Sequence, residues 1–140
     1  MADYSDLIAR LEKAEGGDVA LDLAVCVALQ WAGPHAVGSG IQNVRRSDDE
    51  DDWLFYEDVD GPCCDLTPRL SASLDAAIAL TEKMLPGWRM ALVQDGPKLV
   101  EAILSPNSMD SEIGRAKTLP IALLIATLKA LQSLEQKDAA

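Results

Sequence analysis

Histidine is nearly absent from this chain, with His35 alone, and its three cysteines, Cys26, Cys63 and Cys64, include no C-x-x-C pair. A thiolate zinc site needs ligands that converge on one tetrahedral ion, and adjacent cysteines such as Cys63 and Cys64 rarely do so. An odd number of thiols also argues against a disulfide framework, so reduced cysteines are expected, with no metal and no cofactor. Long apolar runs are missing too. The longest, Leu119 to Ala126, has eight residues, far fewer than the roughly 20 a membrane-spanning helix requires. Met1 to Glu15 is charged and amphipathic and lacks the apolar core of a secretory leader. A cytoplasmic protein without a membrane partner is expected.

Positive charge is missing from one segment. Residues 48–65 hold nine acids (Asp48, Asp49, Glu50, Asp51, Asp52, Glu57, Asp58, Asp60 and Asp65) and neither lysine nor arginine, whereas the rest of the chain sets 14 acids against 12 bases. The net charge of −11 therefore belongs to a segment and not to the fold. Such a surface repels phosphates, so direct nucleic-acid binding is not expected.

What is present suffices for a core. A chain of 140 residues, 49% of them apolar, reads as a single domain, 1–140, that folds without a staple. Ser71 to Trp88, SASLDAAIALTEKMLPGW, is its clearest unit. Ser71 or Ser73 can cap a helix start, and Leu74, Ala77, Ile78, Thr81 and Leu85 follow the spacing of one buried stripe. Pro86 and Gly87 then stop the helix. Trp88 opens an extended run and is expected as a core anchor.

The same periodicity predicts helices over 4–14 and 19–31, the second with Asp18 as its cap, and over 119–134, capped by Thr118. Aromatic-rich Trp53 to Glu57 predicts a strand, with Ile41 to Arg46 as an edge partner. Strands over 88–94 and 99–104 flank Asp95-Gly96, a hairpin signal. Gly33 to Gly40 and Ser105 to Lys117 read as loops, 41–68 as an acidic hairpin insertion ended by Asp60-Gly61-Pro62, and 136–140 as a frayed tail. The order predicts an α+β fold, with an antiparallel sheet covered by helices on both faces.

The blocks resemble a known family. Leu7-Ile8-Ala9-Arg10-Leu11-Glu12, then Leu21-Asp22-Leu23-Ala24-Val25 leading to Trp31, then Ser73-Leu74-Asp75-Ala76-Ala77-Ile78 leading to Gly87-Trp88, and last Pro120 to Ala130 together resemble the phage ABA sandwich domain. The resemblance leaves out residues 32–70, and the acidic segment departs from it. It implies an α–β–α layered sandwich and a phage or prophage protein, and it carries over no activity and no catalytic residue.

No nucleophile–base set is legible, so the chain is read as non-enzymatic. Asp22 and Asp75 suit helix starts better than acid–base work. His35, between Pro34 and Ala36, reads as a loop histidine, and Gly38-Ser39-Gly40 lacks the Lys-Ser/Thr of a phosphate loop. SDDEDD, Ser47 to Asp52, lacks the spacing of a calcium-binding loop. Acids beside aromatics can instead form a binding surface. The candidate site is thus Asp48, Asp49, Glu50, Asp51 and Asp52 with Trp53, Phe55 and Tyr56. Strand alternation puts Leu54 and Tyr56 on one face and Trp53 and Phe55 on the other; Leu54, the plainer core residue, sets its own pair inward and the other outward or at a dimer seam, with the opposite assignment as the alternative. The expected role is a phage accessory protein that binds a host protein or small ligand. The alternatives are an acidic nucleic-acid mimic that inhibits a host factor and, third, an enzyme of unrecognised type. A homodimer is compatible with all three.

Overall fold

Among the described residues the apolar periodicities resolve into four helices and six strands. The computed structural model describes residues 4–33, 41–46, 53–96, 99–106 and 111–138. The helices are α1 (Ser5–Lys13), α2 (Val19–Leu29), α3 (Leu74–Met84) and α4 (Leu119–Asp138). The strands are β1 (Gln42–Arg46), β2 (Trp53–Asp58), β3 (Gly61–Leu66), β4 (Arg89–Asp95), β5 (Leu99–Ser105) and β6 (Glu112–Arg115). They form two antiparallel sheets, β1-β2-β3 and β4-β5-β6, so the layered α+β fold divides its strands between two small sheets.

Helix α4 is the hub. Every residue from Ile121 to Leu128 is buried, which accounts for a helix start that is apolar all round. Burial of each Leu or Ile in that run contributes roughly 1.5–3 kcal/mol. One face of α4 lies on β5 and β6, and it also meets α3, α1 and β4. The approach to β6 is so close that Gly114 has no room for a side chain: a Cβ there would lie 2.6 Å from the Ala126 nitrogen and collide with the Ala122 carbonyl oxygen. On the α3 side the Thr81 and Thr127 hydroxyls meet at 2.8 Å, each also 2.8 Å from the carbonyl four residues back, Ala77 and Leu123. Two hydroxyl protons serve these three contacts. The amino-terminal end is tied to the same helix by the Tyr4 N–H, which donates to Gln132 Oε1 at 2.9 Å.

A polar knot joins the start of α2 to the approach to α3. Asp18 caps α2, accepting from the Ala20 and Leu21 N–H groups. Its own N–H donates to Ser71 Oγ at 2.7 Å, and the Ser71 hydroxyl donates to the Asp18 carbonyl at 3.3 Å. The Ser71 N–H in turn donates to Asp22 Oδ1 at 2.8 Å. Ser73, not Ser71, caps α3. Ser71 is thereby freed to bridge segments that stand about 50 residues apart in sequence.

Four expectations are corrected. Asp60-Gly61-Pro62 does not end the acidic hairpin. Val59 and Asp60 form a tight turn, Gly61 adopts φ +120°, and β3 runs back along β2 with Pro62 opposite Glu57. β3 is an edge strand, where a proline's missing N–H is tolerated. Residues 105–117 are not all loop, because Glu112–Arg115 pairs with Glu101–Leu104. Nothing β-rich announces that strand, which exists because Gly114 lets it lie against α4. Trp88 is only partly buried. It sits at the rim, against a small cleft of about 30 Å³ shared with Pro106, Glu112 and Leu134, where α4 is turning polar. The Thr118 hydroxyl is buried without a hydrogen-bond partner among the described residues, so it does not cap α4.

Candidate functional site

The β2–β3 hairpin sorts the aromatic residues by strand alternation. Leu54 and Tyr56 are buried, whereas Trp53 and Phe55 are half-buried on the opposite face. Across the pair, Trp53 faces Leu66, Phe55 faces Cys64, Leu54 faces Asp65 and Tyr56 faces Cys63. The outer face therefore carries Trp53, Phe55, Cys64 and Leu66, and Leu66 is 60% exposed. Arg45 of β1 extends over the Phe55 ring, its guanidinium carbon 5.9 Å from the ring centre.

At the open end of this hairpin lies a cleft of about 400 Å³, lined by Ala32, Gly33, Trp53, Asp65, Leu66, Pro68 and Ala76. Five segments meet there: the end of the α2 turn, both strands of the hairpin, the link after β3 and the first turn of α3. Gly33 adopts φ +105°, and a Cβ on it would lie 2.9 Å from Pro68 Cγ. The close Gly33–Pro68 contact thus closes one wall. Among the described residues the lining is apolar apart from Asp65. Its Oδ2 accepts the Tyr56 hydroxyl at 2.7 Å. That bond, with partial burial, pushes the Tyr56 phenol well above its ordinary range, so it remains a donor and holds the carboxylate in place. Volume, apolar walls and one oriented polar group are the usual properties of a ligand pocket.

The other polar clusters are internally satisfied. A shallow depression of about 480 Å³ is lined by Gln30, Asn43, Val44, Arg45 and Glu57, but its groups already bond one another. The Asn43 amide donates to Glu57, Arg45 donates to the Asn43 carbonyl, and Gln30 pairs with Val44. At the hairpin turn the Cys63 thiol donates to Asp58 Oδ2 at 3.5 Å, while Asp58 Oδ1 accepts the Asp60 N–H. Cys64, next along the strand, is exposed on the opposite face. The described residues contain no group of three His, Cys, Asp or Glu able to hold a metal ion.

Asp22 and Asp75 do not form an acid–base pair. Asp75 is exposed in the first turn of α3, whereas Asp22 is 1% exposed and engaged with Ser71. The expectation that Asp22 merely eases a helix start is corrected: its carboxylate anchors the segment before α3. Burial raises its pKa, an effect opposed by the Ser71 hydrogen bonds and the Arg69 charge. Cys26, one turn further on, is buried beside it, and loss of water pushes its thiol up to about 12. Such a thiol is a packing residue and not a nucleophile at neutral pH.

Of the candidate residues read from the sequence, Trp53 lines the cleft, Phe55 lies on the adjoining face, and Tyr56 acts from behind by holding Asp65. Asp48, Asp49, Glu50, Asp51, Asp52 and His35 lie outside the described residues. Sequence reasoning missed Ala32, Gly33, Leu66, Pro68 and Ala76. Small apolar residues scattered over 45 positions carry no signal until the chain folds. No described helix is long and apolar enough to cross a membrane. No family model, no curated protein and no solved structure matches the chain.

Proposed function

We propose that this chain is a non-enzymatic binding protein whose cleft at Trp53 receives an apolar group of a partner protein. The observation that supports this most directly is the cleft of about 400 Å³, continuous with the outward Trp53–Leu66 and Phe55–Cys64 pairs. An indole wall, apolar neighbours and a solvent-reaching face are the features that concentrate binding energy at interfaces. The resemblance of the Leu21–Trp31 and Ser73–Trp88 blocks supports a phage or prophage accessory protein acting in the cytoplasm of its host.

The test is NMR of the labelled full chain with small apolar fragments, such as indole and toluene. Amide shifts confined to Ala32, Gly33, Leu66 and Ala76, and lost in Ala76→Glu, are expected. Shifts elsewhere, or shifts that Ala76→Glu leaves intact, remove the cleft from this role.

A further inference from the structure

The cleft offers an apolar ligand one polar handle, and that handle is negative. Asp65 is fixed through Oδ2 by the Tyr56 hydroxyl at 2.7 Å, and the residue lines the cleft. Among the described residues no basic side chain lines the cavity, and no lysine or arginine occurs anywhere from 48 to 65, where nine acids stand. A neutral ligand would leave that carboxylate without a matching charge. An anion would meet Asp65 at the site and the net charge of −11 on approach.

We propose that the cleft takes the side chain of an arginine presented by a partner protein, its guanidinium against Asp65 and its stem and plane against Trp53. This inference rests on the cleft being the binding site. Arginine suits it better than lysine. A guanidinium is planar, weakly hydrated and stacks on an indole face, whereas an ammonium keeps its water and fits an apolar wall poorly. Arg45 over Phe55 shows the same pairing inside this hairpin. A residue carried by a protein suits it better than a free amine, because the apolar surface does not stop at the cleft. Leu66, Cys64 and Phe55 continue it along the hairpin face, where the backbone and neighbours of a partner's arginine would rest. The net charge of −11 would also speed the approach of a basic partner and make it salt-sensitive.

The experiment titrates the full-length labelled protein with three probes: acetyl-Leu-Arg-Leu-amide, the same peptide with citrulline for arginine, and free agmatine. The arginine peptide is expected to shift the amides of Ala32, Gly33, Leu66 and Ala76 and the indole N–H of Trp53. Citrulline keeps the shape and loses the charge, so it should bind about tenfold more weakly, as for a partly exposed charge-assisted pair. Asp65→Asn retains an acceptor for Tyr56 and should bring the arginine peptide down to the citrulline affinity. Its folding is checked by the unchanged core amides of α4. Equal binding of the citrulline and arginine peptides would overturn the cationic ligand while leaving the cleft as an apolar site. Agmatine bound at the cleft, with neither peptide bound, would overturn a protein partner in favour of a free organic cation. If indole and toluene as well as all three probes failed to shift these residues, the cleft itself would be excluded as the binding site.

Discussion

The side-chain amide of Gln30 pairs with both backbone groups of Val44: the Val44 N–H donates to Gln30 Oε1 at 2.9 Å, and Gln30 Nε2 donates to the Val44 carbonyl at 3.0 Å. The side chain thereby serves as one residue of a missing strand along the outer edge of β1. Gln30 reaches that position because it ends α2 in the left-handed conformation, φ 53°. Val44 presents both groups because β1 bulges at Asn43, itself at φ 54°, where the register with β2 shifts. Exposed strand edges are templates for unwanted pairing, and this contact covers part of one.

Gln30→Ala should therefore cost about 1–2 kcal/mol, the net worth of two such hydrogen bonds. Gln30→Gly should cost less, because glycine relieves the left-handed strain by up to about 1 kcal/mol. Urea unfolding ranks the two variants, and amide exchange at Val44 locates the effect. Unchanged Val44 protection in Gln30→Ala would show that the bond does not secure the edge.

Gly114→Ala tests the closest approach found at any described glycine. The added methyl collides with the Ala122 carbonyl and lies 2.6 Å from the Ala126 nitrogen. These are backbone atoms inside a buried helix, so they cannot rotate aside. Overpacking of this kind costs about 1–3 kcal/mol and sometimes more. We expect the upper end of that range, measured as a lower denaturant midpoint, with shifts concentrated at Ala122, Ile125 and Ala126. Gly16, which has nothing within 4 Å of a built Cβ, is the control, and Gly16→Ala should change stability little.

The Thr81–Thr127 pair should tolerate loss of one partner. Each hydroxyl has its own carbonyl four residues back, Ala77 for Thr81 and Leu123 for Thr127, and only two protons serve three contacts. A hydroxyl left alone by Thr127→Val therefore still donates within its helix. Each single valine variant should cost about 1 kcal/mol or less, and the double variant should be no worse than their sum. A coupling energy well above 1 kcal/mol in a double-mutant cycle would mean that the inter-helix contact is the one that matters.

Asp22 supplies a pH dependence whose sign follows from burial. Its folded-state pKa is raised above the ordinary 3.8, so the folded state binds the proton more tightly than the unfolded chain. Its favourable contribution is complete below that ordinary value and is lost as pH rises through the raised folded value. Asp22→Asn keeps an acceptor for the Ser71 N–H and removes the titration. The unfolding free energy of Asp22→Asn relative to wild type should accordingly increase as pH climbs from about 4 toward neutrality. Asp22→Ala should lie below Asp22→Asn by about 1–3 kcal/mol at every pH, because neither variant titrates and only in Asp22→Ala does the Ser71 N–H lose its acceptor. Parallel stability–pH curves for wild type and Asp22→Asn would refute the assignment.

Local chemistry was enough to place the helices. Asp18 and Ser73 cap where their hydroxyl or carboxylate reaches a free N–H, the apolar stripe of α1 buries Leu7, Ile8 and Leu11, and Pro86-Gly87 follows the end of α3. Strand alternation likewise separated Leu54 and Tyr56 from Trp53 and Phe55, because a period of two admits only two faces. These outcomes depend on neighbours a few residues away, and the sequence displays such neighbours directly.

Long-range contact decided the rest. β6 is a strand because α4 accepts Gly114, β3 continues past Pro62 because β2 offers it a partner, and Trp88 stays at the rim because α4 turns polar beside it. Asp22 looked like a charge at a helix start until Ser71, 49 residues on, supplied the N–H that draws it into the core. The cleft is the extreme case: Gly33, Leu66, Pro68 and Ala76 have no chemistry of their own to announce it. They form a site only because chain closure brings separate segments to the end of one hairpin, where Asp65 joins an otherwise apolar lining of described residues.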